Sequence, residues 1–177
     1  MSTLRVSNIQ NLGGTQNVQA TSTTLSLYAN NLLSLNIDAS GRINKPLQPS
    51  FWAYTTSSTN AGNVIVFPST QHNIGSHYST STGRFTTPIA GRYFFSINSI
   101  GNSSGTTRII PRINGSTSQF GLNQFQLRII NTGNYADANL TFIWNLSAND
   151  YVDLLVSEGV AYSDGSGYMN WSGTLLG

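Results

Sequence analysis

Cysteine is absent from the 177 residues, which removes both a disulfide framework and a thiolate metal site. Charge is scarce as well: eight basic and six acidic side chains make up 8% of the chain, against roughly a quarter in ordinary soluble domains. A surface so poor in ions is made of Ser, Thr, Asn, Gln, Gly and Tyr, which suits β-rich, shell-like or fibre-like proteins better than cytosolic enzymes. Lysine occurs once, at Lys45, and the arginines are dispersed along the chain. No run of them tracks a phosphate backbone, so nucleic acid is not expected as a partner.

Long apolar runs are missing too. Nothing approaches the roughly 18 residues of a membrane helix, and the opening MSTLRVSNIQNLGGTQ lacks a basic stretch followed by an apolar one. The expectation is synthesis in the cytoplasm, with no membrane insertion and no routing through general secretion. The Asn-x-Ser/Thr triplets at Asn102, Asn114, Asn139, Asn145 and Asn170 are what an Asn-rich chain yields by chance. Catalytic patterns are lacking: His72 and His77 form no metal motif, and there is no nucleophile elbow and no pair of carboxylates at a working spacing. The chain is read as a non-enzyme.

No segment carries a helical period with caps, whereas short alternating runs recur throughout. Residues 1–45 contain no proline and no aromatic except Tyr28, with alternation at Leu4 and Val6, at Leu25 and Leu27, and at Leu33, Leu35 and Ile37. Asp38 to Gly41 reads as a turn. Strands with so little apolar surface do not fold alone and need neighbours from other chains. Residues 46–50, inside KPLQPS, read as a linker. From residue 51 to 177 the strands come at the close spacing of an all-β sandwich: FWAYTT, NVIVF, GRFTTP, GRYFFSINSI, RIIPRI, FQLRII, LTFIWNL, YVDLLVS and YMNWSGTLLG.

Within that region Phe67, Asn73, Tyr78, Phe85, Gly91, Tyr93 and Phe95 stand in a register that resembles the C1q domain signature, with Ile97 where that family usually has Phe or Tyr. Tyr93, Phe95 and Ile97 alternate with Arg92, Phe94, Ser96 and Asn98, the pattern of a half-buried strand. The closing segments YVDLLVS and NWSGTLLG are similar to the last two strands of the same family. The resemblance implies an all-β, ten-stranded jelly-roll β-sandwich of C1q/tumour necrosis factor type, assembled as a homotrimer. Arginines such as Arg108, Arg112 or Arg128 are candidates to pair across subunits. Some relatives of this fold bind calcium near the top of the trimer, and Asp137, Glu158 and Asp164 are the acids in apical loops; hard cations want six to eight oxygens, so no cofactor is expected.

The leader, with its NIDASGRI turn, resembles the opening segments of bacteriophage virion proteins, fibres above all. The implied protein is a trimeric phage tail fibre or spike, exposed on the virion. Residues 1–45 form a short extended β arm for docking on other virion proteins and for trimerisation, and the knob at 51–177 touches a host surface glycan or protein. Alternatives are a capsid fibre or decoration protein, or a bacterial or eukaryotic C1q-like binding module. Host contact is assigned to two loops rich in Tyr, Asp, Asn, Ser and Gly, TGNYADA and EGVAYSDGSGYMN, through Tyr135, Asp137, Tyr162, Asp164 and Tyr168. Tyrosine supplies a rigid face with a polar tip, and small residues supply adaptable hydrogen bonds.

Overall fold

The computed structural model describes residues 8–10, 14, 17–101, 105–118 and 125–177. Leu4, Arg5, Val6 and the Asn102 triplet lie outside the described residues. The chain divides into two compact units, Met1–Gln48 and Pro49–Gly177. Among the described residues every element is a strand.

The first unit is one antiparallel meander of β1 (Asn8–Gln10), β2 (Asn17–Ala20), β3 (Leu25–Ala29), β4 (Leu32–Ile37) and β5 (Ile43–Asn44), in that spatial order. Its β4–β5 turn is closed by Asp38, whose carboxylate accepts from Ser40 N and Arg42 N and pairs with Arg42 Nε at 2.7 Å. These bonds hold the Asp38 carboxyl below its ordinary range, the Arg42 backbone bond first.

The second unit is a sandwich of ten strands in two five-stranded sheets. One sheet runs β7 (Ser69–Ile74), β6 (Ser50–Asn60), β15 (Val160–Leu175), β10 (Gly91–Gly101), β13 (Ala136–Leu146). The other runs β8 (Tyr78–Ser79), β9 (Arg84–Thr86), β14 (Tyr151–Glu158), β11 (Gly105–Ile113), β12 (Leu127–Asn131). Alternation along β10 sends Tyr93, Phe95 and Ile97 fully inward while Arg92 stays exposed, as expected from a period of two.

Between the sheets lies an aromatic core. Phe51 stacks on Tyr78 at 4.8 Å and on Phe85 at 5.0 Å and meets the edge of Trp171 at 4.9 Å; Phe95 stacks on Phe142 at 5.2 Å. Of the remaining signature positions, Asn73 is half-buried and clamps a turn: its Nδ2 donates to Tyr78 O at 2.8 Å and its Oδ1 accepts from Tyr78 N at 3.1 Å. The Tyr78 hydroxyl in turn accepts from Phe67 N and donates to Phe67 O. Asparagine suits this position because its amide matches a donor and an acceptor of the same backbone residue.

Two sequence expectations are corrected. The NVIVF run is no regular strand: residues 61–68 cross from β6 to the other sheet, bridge β14 at Val64↔Leu155, bond Ile65 N to Leu154 O at 2.8 Å, and return to β7. Burying Ile65 and Phe67 from a connection that must leave and re-enter the same sheet allows only a bridge. Second, Arg108 and Arg112 pair within the chain. The β11–β14 register sets Arg112 opposite Asp153 and Arg108 opposite Glu158. Arg112 grips the fully buried Asp153 carboxylate with two bonds, at 2.7 and 2.9 Å, and Arg108 Nε lies 3.0 Å from Glu158. Arg84 adds a longer contact to Asp153 at 3.7 Å and lies over the Tyr151 ring.

Two measurements test this core. In urea titrations, Phe95→Ala is expected to lose about 3–5 kcal/mol and Phe94→Ala, on the half-exposed face, clearly less. Burial pushes the Tyr78 phenol up to about 12. A raised folded-state pKa means that the neutral phenol contributes stability that is complete below pH ~10 and lost as pH rises toward 12. Tyr78→Phe therefore costs most at pH 8, through its lost hydrogen bonds, and the gap to the parent is expected to narrow between pH 10 and 12.

Candidate functional site

Strand β15 is out of step with both of its neighbours. Against β6 its register passes from Ala161↔Thr59 to Asp164↔Ser57 and then to Met169↔Thr55; against β10 it jumps from Tyr162↔Ile100 to Asn170↔Asn98. The surplus residues, Gly165 to Tyr168, swell out of the sheet as a wide bulge, the usual result of an uneven residue count across a ladder. Gly165 and Gly167 take the left-handed backbone it requires, at φ 95° and 69°. The base is fastened by Ser163, which is buried: its N donates to Ser58 Oγ at 2.9 Å, its Oγ donates to Thr55 O at 3.1 Å, and its O accepts from Ser58 Oγ at 2.9 Å.

Beside this bulge the β12–β13 turn is tied by Asn131, whose Nδ2 donates to Gly101 O and Asn134 O and whose Oδ1 accepts from Gly133 N. The turn delivers Tyr135, whose ring lies 5.7 Å from that of Tyr162. Between the turn and the bulge is a recess of about 310 Å³ lined by Tyr135, Asp137, Tyr168, Ile100, Asn98 and Asn139 among others. A chain of amides runs along it: Asn139 Nδ2 donates to Asn98 Oδ1 at 2.8 Å and to Ile97 O at 2.9 Å, and Asn98 Nδ2 donates to Asn170 Oδ1 at 2.8 Å.

Of the five residues assigned from sequence, Tyr135, Asp137 and Tyr168 line one recess and Tyr162 packs against Tyr135. Asp164 does not line it; it is exposed on the bulge, and its carboxylate accepts from Ser166 N at 3.2 Å. The placement in loops is corrected for four of them. Asp137 is on β13, and Tyr162, Asp164 and Tyr168 are on β15, because the ladder continues on either side of the bulge. Sequence reasoning missed Asn98 and Asn139 as recess residues, although Asn98 already stood among the outward alternates of its strand. It also missed a second hollow across the bulge, bordered by Trp52, Tyr54, Gln71 and Ser166.

Tyrosine faces, amides and a carboxylate suit a ligand rich in hydroxyl groups. Neither histidine lines the recess, and burial holds His77 below its ordinary pKa. Among the described residues no three His, Cys, Asp or Glu side chains gather as a metal site, and Glu158 lies 3.0 Å from Arg108 Nε. The bulge itself is testable: Gly167→Val forces a β-branched residue into left-handed backbone and is expected to cost about 1–2 kcal/mol by urea titration. Gly167→Asn, whose short amide tolerates that conformation, should cost distinctly less.

The profile of the C1q domain family matches residues 50–176, the greater part of the chain. Human and mouse complement C1q tumor necrosis factor-related protein 3 are each 24% identical over 131 residues, 73% of this chain and 52% of theirs, so the chain spans about half the length of these relatives. The globular domain of zebrafish complement 1qA superposes with a TM-score of 0.55 at 17% identity, covering 73% of this chain and 98% of that one. Murine APRIL at pH 5.0 gives 0.54 at 10% identity, covering 73% and 99%. The last two likenesses are of fold; with the profile match across residues 50–176, the chain belongs to the C1q domain family.

Proposed function

We propose that this protein is a non-enzymatic, homotrimeric recognition module whose C1q-type knob caps a bacteriophage tail fibre or spike and touches the host surface. The observation that carries the reading is the recess, where Tyr135, Asp137 and Tyr168 converge from separate strands and turns with no catalytic pair beside them. A site built of aromatic faces and hydrogen-bonding tips on a rigid sandwich is suited to binding.

The trimer is supported by an asymmetry between the two sheets. The outer face of the β7–β6–β15–β10–β13 sheet pairs Phe94 with Ile143 and sets Trp52 beside Tyr54, with Ile143 57% exposed. The outer face of the other sheet holds Arg84, Arg112 and Asp153, and Arg108 with Glu158. The apolar and aromatic patch at Phe94, Ile143, Trp52 and Tyr54 favours burial against other copies, while the ion pairs of the other face favour water. Weak single-site affinity would then be multiplied by three copies on each knob and by many knobs on a particle.

The virion setting rests on the N-terminal β arm, the lack of cysteine and the low charge; other virion proteins would hold the arm. A capsid fibre or decoration role keeps the same architecture. The animal origin of the relatives favours a second reading, a C1q-like binding module outside any virion.

Adsorption of the purified full chain to host cells separates these readings. The parent is expected to adsorb, and Tyr135→Ala with Tyr168→Ala is expected to weaken adsorption at least tenfold while the melting curve stays within about 0.5 kcal/mol of the parent's, as for surface substitutions. Unchanged adsorption of the double variant removes the recess from recognition. A parent that does not adsorb removes the host-binding role. Loss of adsorption after periodate treatment of the cells assigns a glycan, and loss after protease treatment assigns a protein.

A further inference from the structure

The arm presents a sheet with two opposite characters. By the pairing register, Ile9, Val18, Leu27 and Leu35 form one row across β1–β4, and Ala20, Leu25, Ile37 and Ile43 form a second across β2–β5. Along β2, β3 and β4 the rows are offset by two positions, so both lie on the same face. The alternate row, Gln19, Ser26, Asn36 and Asn44, falls on the reverse. There Ser26 Oγ donates to Asn36 Oδ1 at 2.9 Å, and the Tyr28 hydroxyl donates to Gln19 Oε1 at 3.4 Å. The polar face is thus bonded within itself, with Ser26 buried at its middle strand.

The apolar face has no second layer. Ile9 is 57% exposed, Ile43 64%, and Leu25 and Leu27 each 38%. Neither row holds a charge or a hydrogen-bonding side chain. An uncovered five-stranded face of this kind does not persist in water.

We infer that two further copies of this chain cover it: three arms pack their apolar faces inward as a triangular β-prism. This rests on the homotrimer reading, and three considerations favour it over a foreign partner. Only about five residues separate β5 from β6, so a knob trimer holds its three arms at the high local concentration of a short tether. The dimensions fit: five strands at about 4.8 Å make a side of roughly 24 Å, whose centre lies roughly 7 Å from the prism axis, and packed side chains fill about half of the ~10 Å between facing sheets. Leu25 and Leu27 sit on β3, the middle strand and therefore the one nearest the axis. Finally, a face with no polar group offers a foreign socket nothing to recognise beyond its oiliness, whereas identical faces are complementary to one another by symmetry.

The absence of native cysteine allows a direct test on the full chain. Single variants Leu27→Cys and Ile37→Cys place a thiol on the apolar face, and Gln19→Cys places one on the polar face. Sedimentation reads the oligomer, and the rate of maleimide labelling reads the cover. A trimer in which the thiols at 27 and 37 react at least tenfold more slowly than the thiol at 19 is the expected result. A trimer in which all three react alike overturns the prism and leaves the homotrimer standing. A monomer overturns the homotrimer reading and the prism with it. Should Leu27→Cys alone disturb the knob's melting curve, Ile37→Cys decides.

Discussion

The knob depends on one close approach. A Cβ on Gly173 would lie 2.7 Å from Phe51 and 2.7 Å from Phe95, closer than carbon atoms pack. Glycine there lets the rings of β6 and β10 close over β15, and the same rings carry the stack to Tyr78, Phe85, Trp171 and Phe142. A core of large aromatics converts little chain into much buried area, which a cysteine-free domain of this size requires. It also fixes the β15 register at its C-terminal end. The misfit between β15 and its neighbours is thereby pushed toward Asp164–Met169, where the two glycines absorb it. The recess is a consequence of where the sheet is allowed to be irregular.

What the sequence revealed follows the range of the interactions. Asn73 and Tyr78 are five residues apart, and their clamp is local, so their spacing alone carried the signature. Alternation on β10 was equally legible, since the period of a strand needs no knowledge of its partners. The Arg112–Asp153 pair spans 41 residues and exists only through strand register. Nothing in the separate segments RIIPRI and YVDLLVS announces it, which is why these arginines looked free to pair between subunits. NVIVF was read as a strand because its composition is that of one; its path is decided by the need to reach Leu154 and return.

The site was half legible for the same reason. Tyr135, Asp137 and Tyr168 were chosen for chemistry, and the fold brings them to one recess. Chemistry could not separate Asp164 from them, because the carboxylate is drawn to the Ser166 amide by the geometry of the bulge. Nor could it foresee the amide chain, which arises when Asn139, Asn98 and Asn170 become register partners across three strands. Aligned amides of this kind are oriented before a ligand arrives, and that lowers the entropy that binding must overcome.

The two units meet the same constraint by different means. In the knob, the ion pairs gather on one outer face, where paired arginines screen a buried carboxylate, and the opposite outer face carries Phe94, Ile143, Trp52 and Tyr54 with Arg92 and Asp137 toward its ends. In the arm, the period of two sorts leucine, isoleucine and valine to one side and amides and hydroxyls to the other. Each unit therefore ends with one surface suited to water and one that is not. A chain with so few charges cannot keep such faces apart in solution by repulsion. The recess lies roughly 14–20 Å along β10 from Phe94 at the strand rise of about 3.4 Å per residue, toward the other end of the same sheet face, so the apolar patch and the recess are separate surfaces of one sheet.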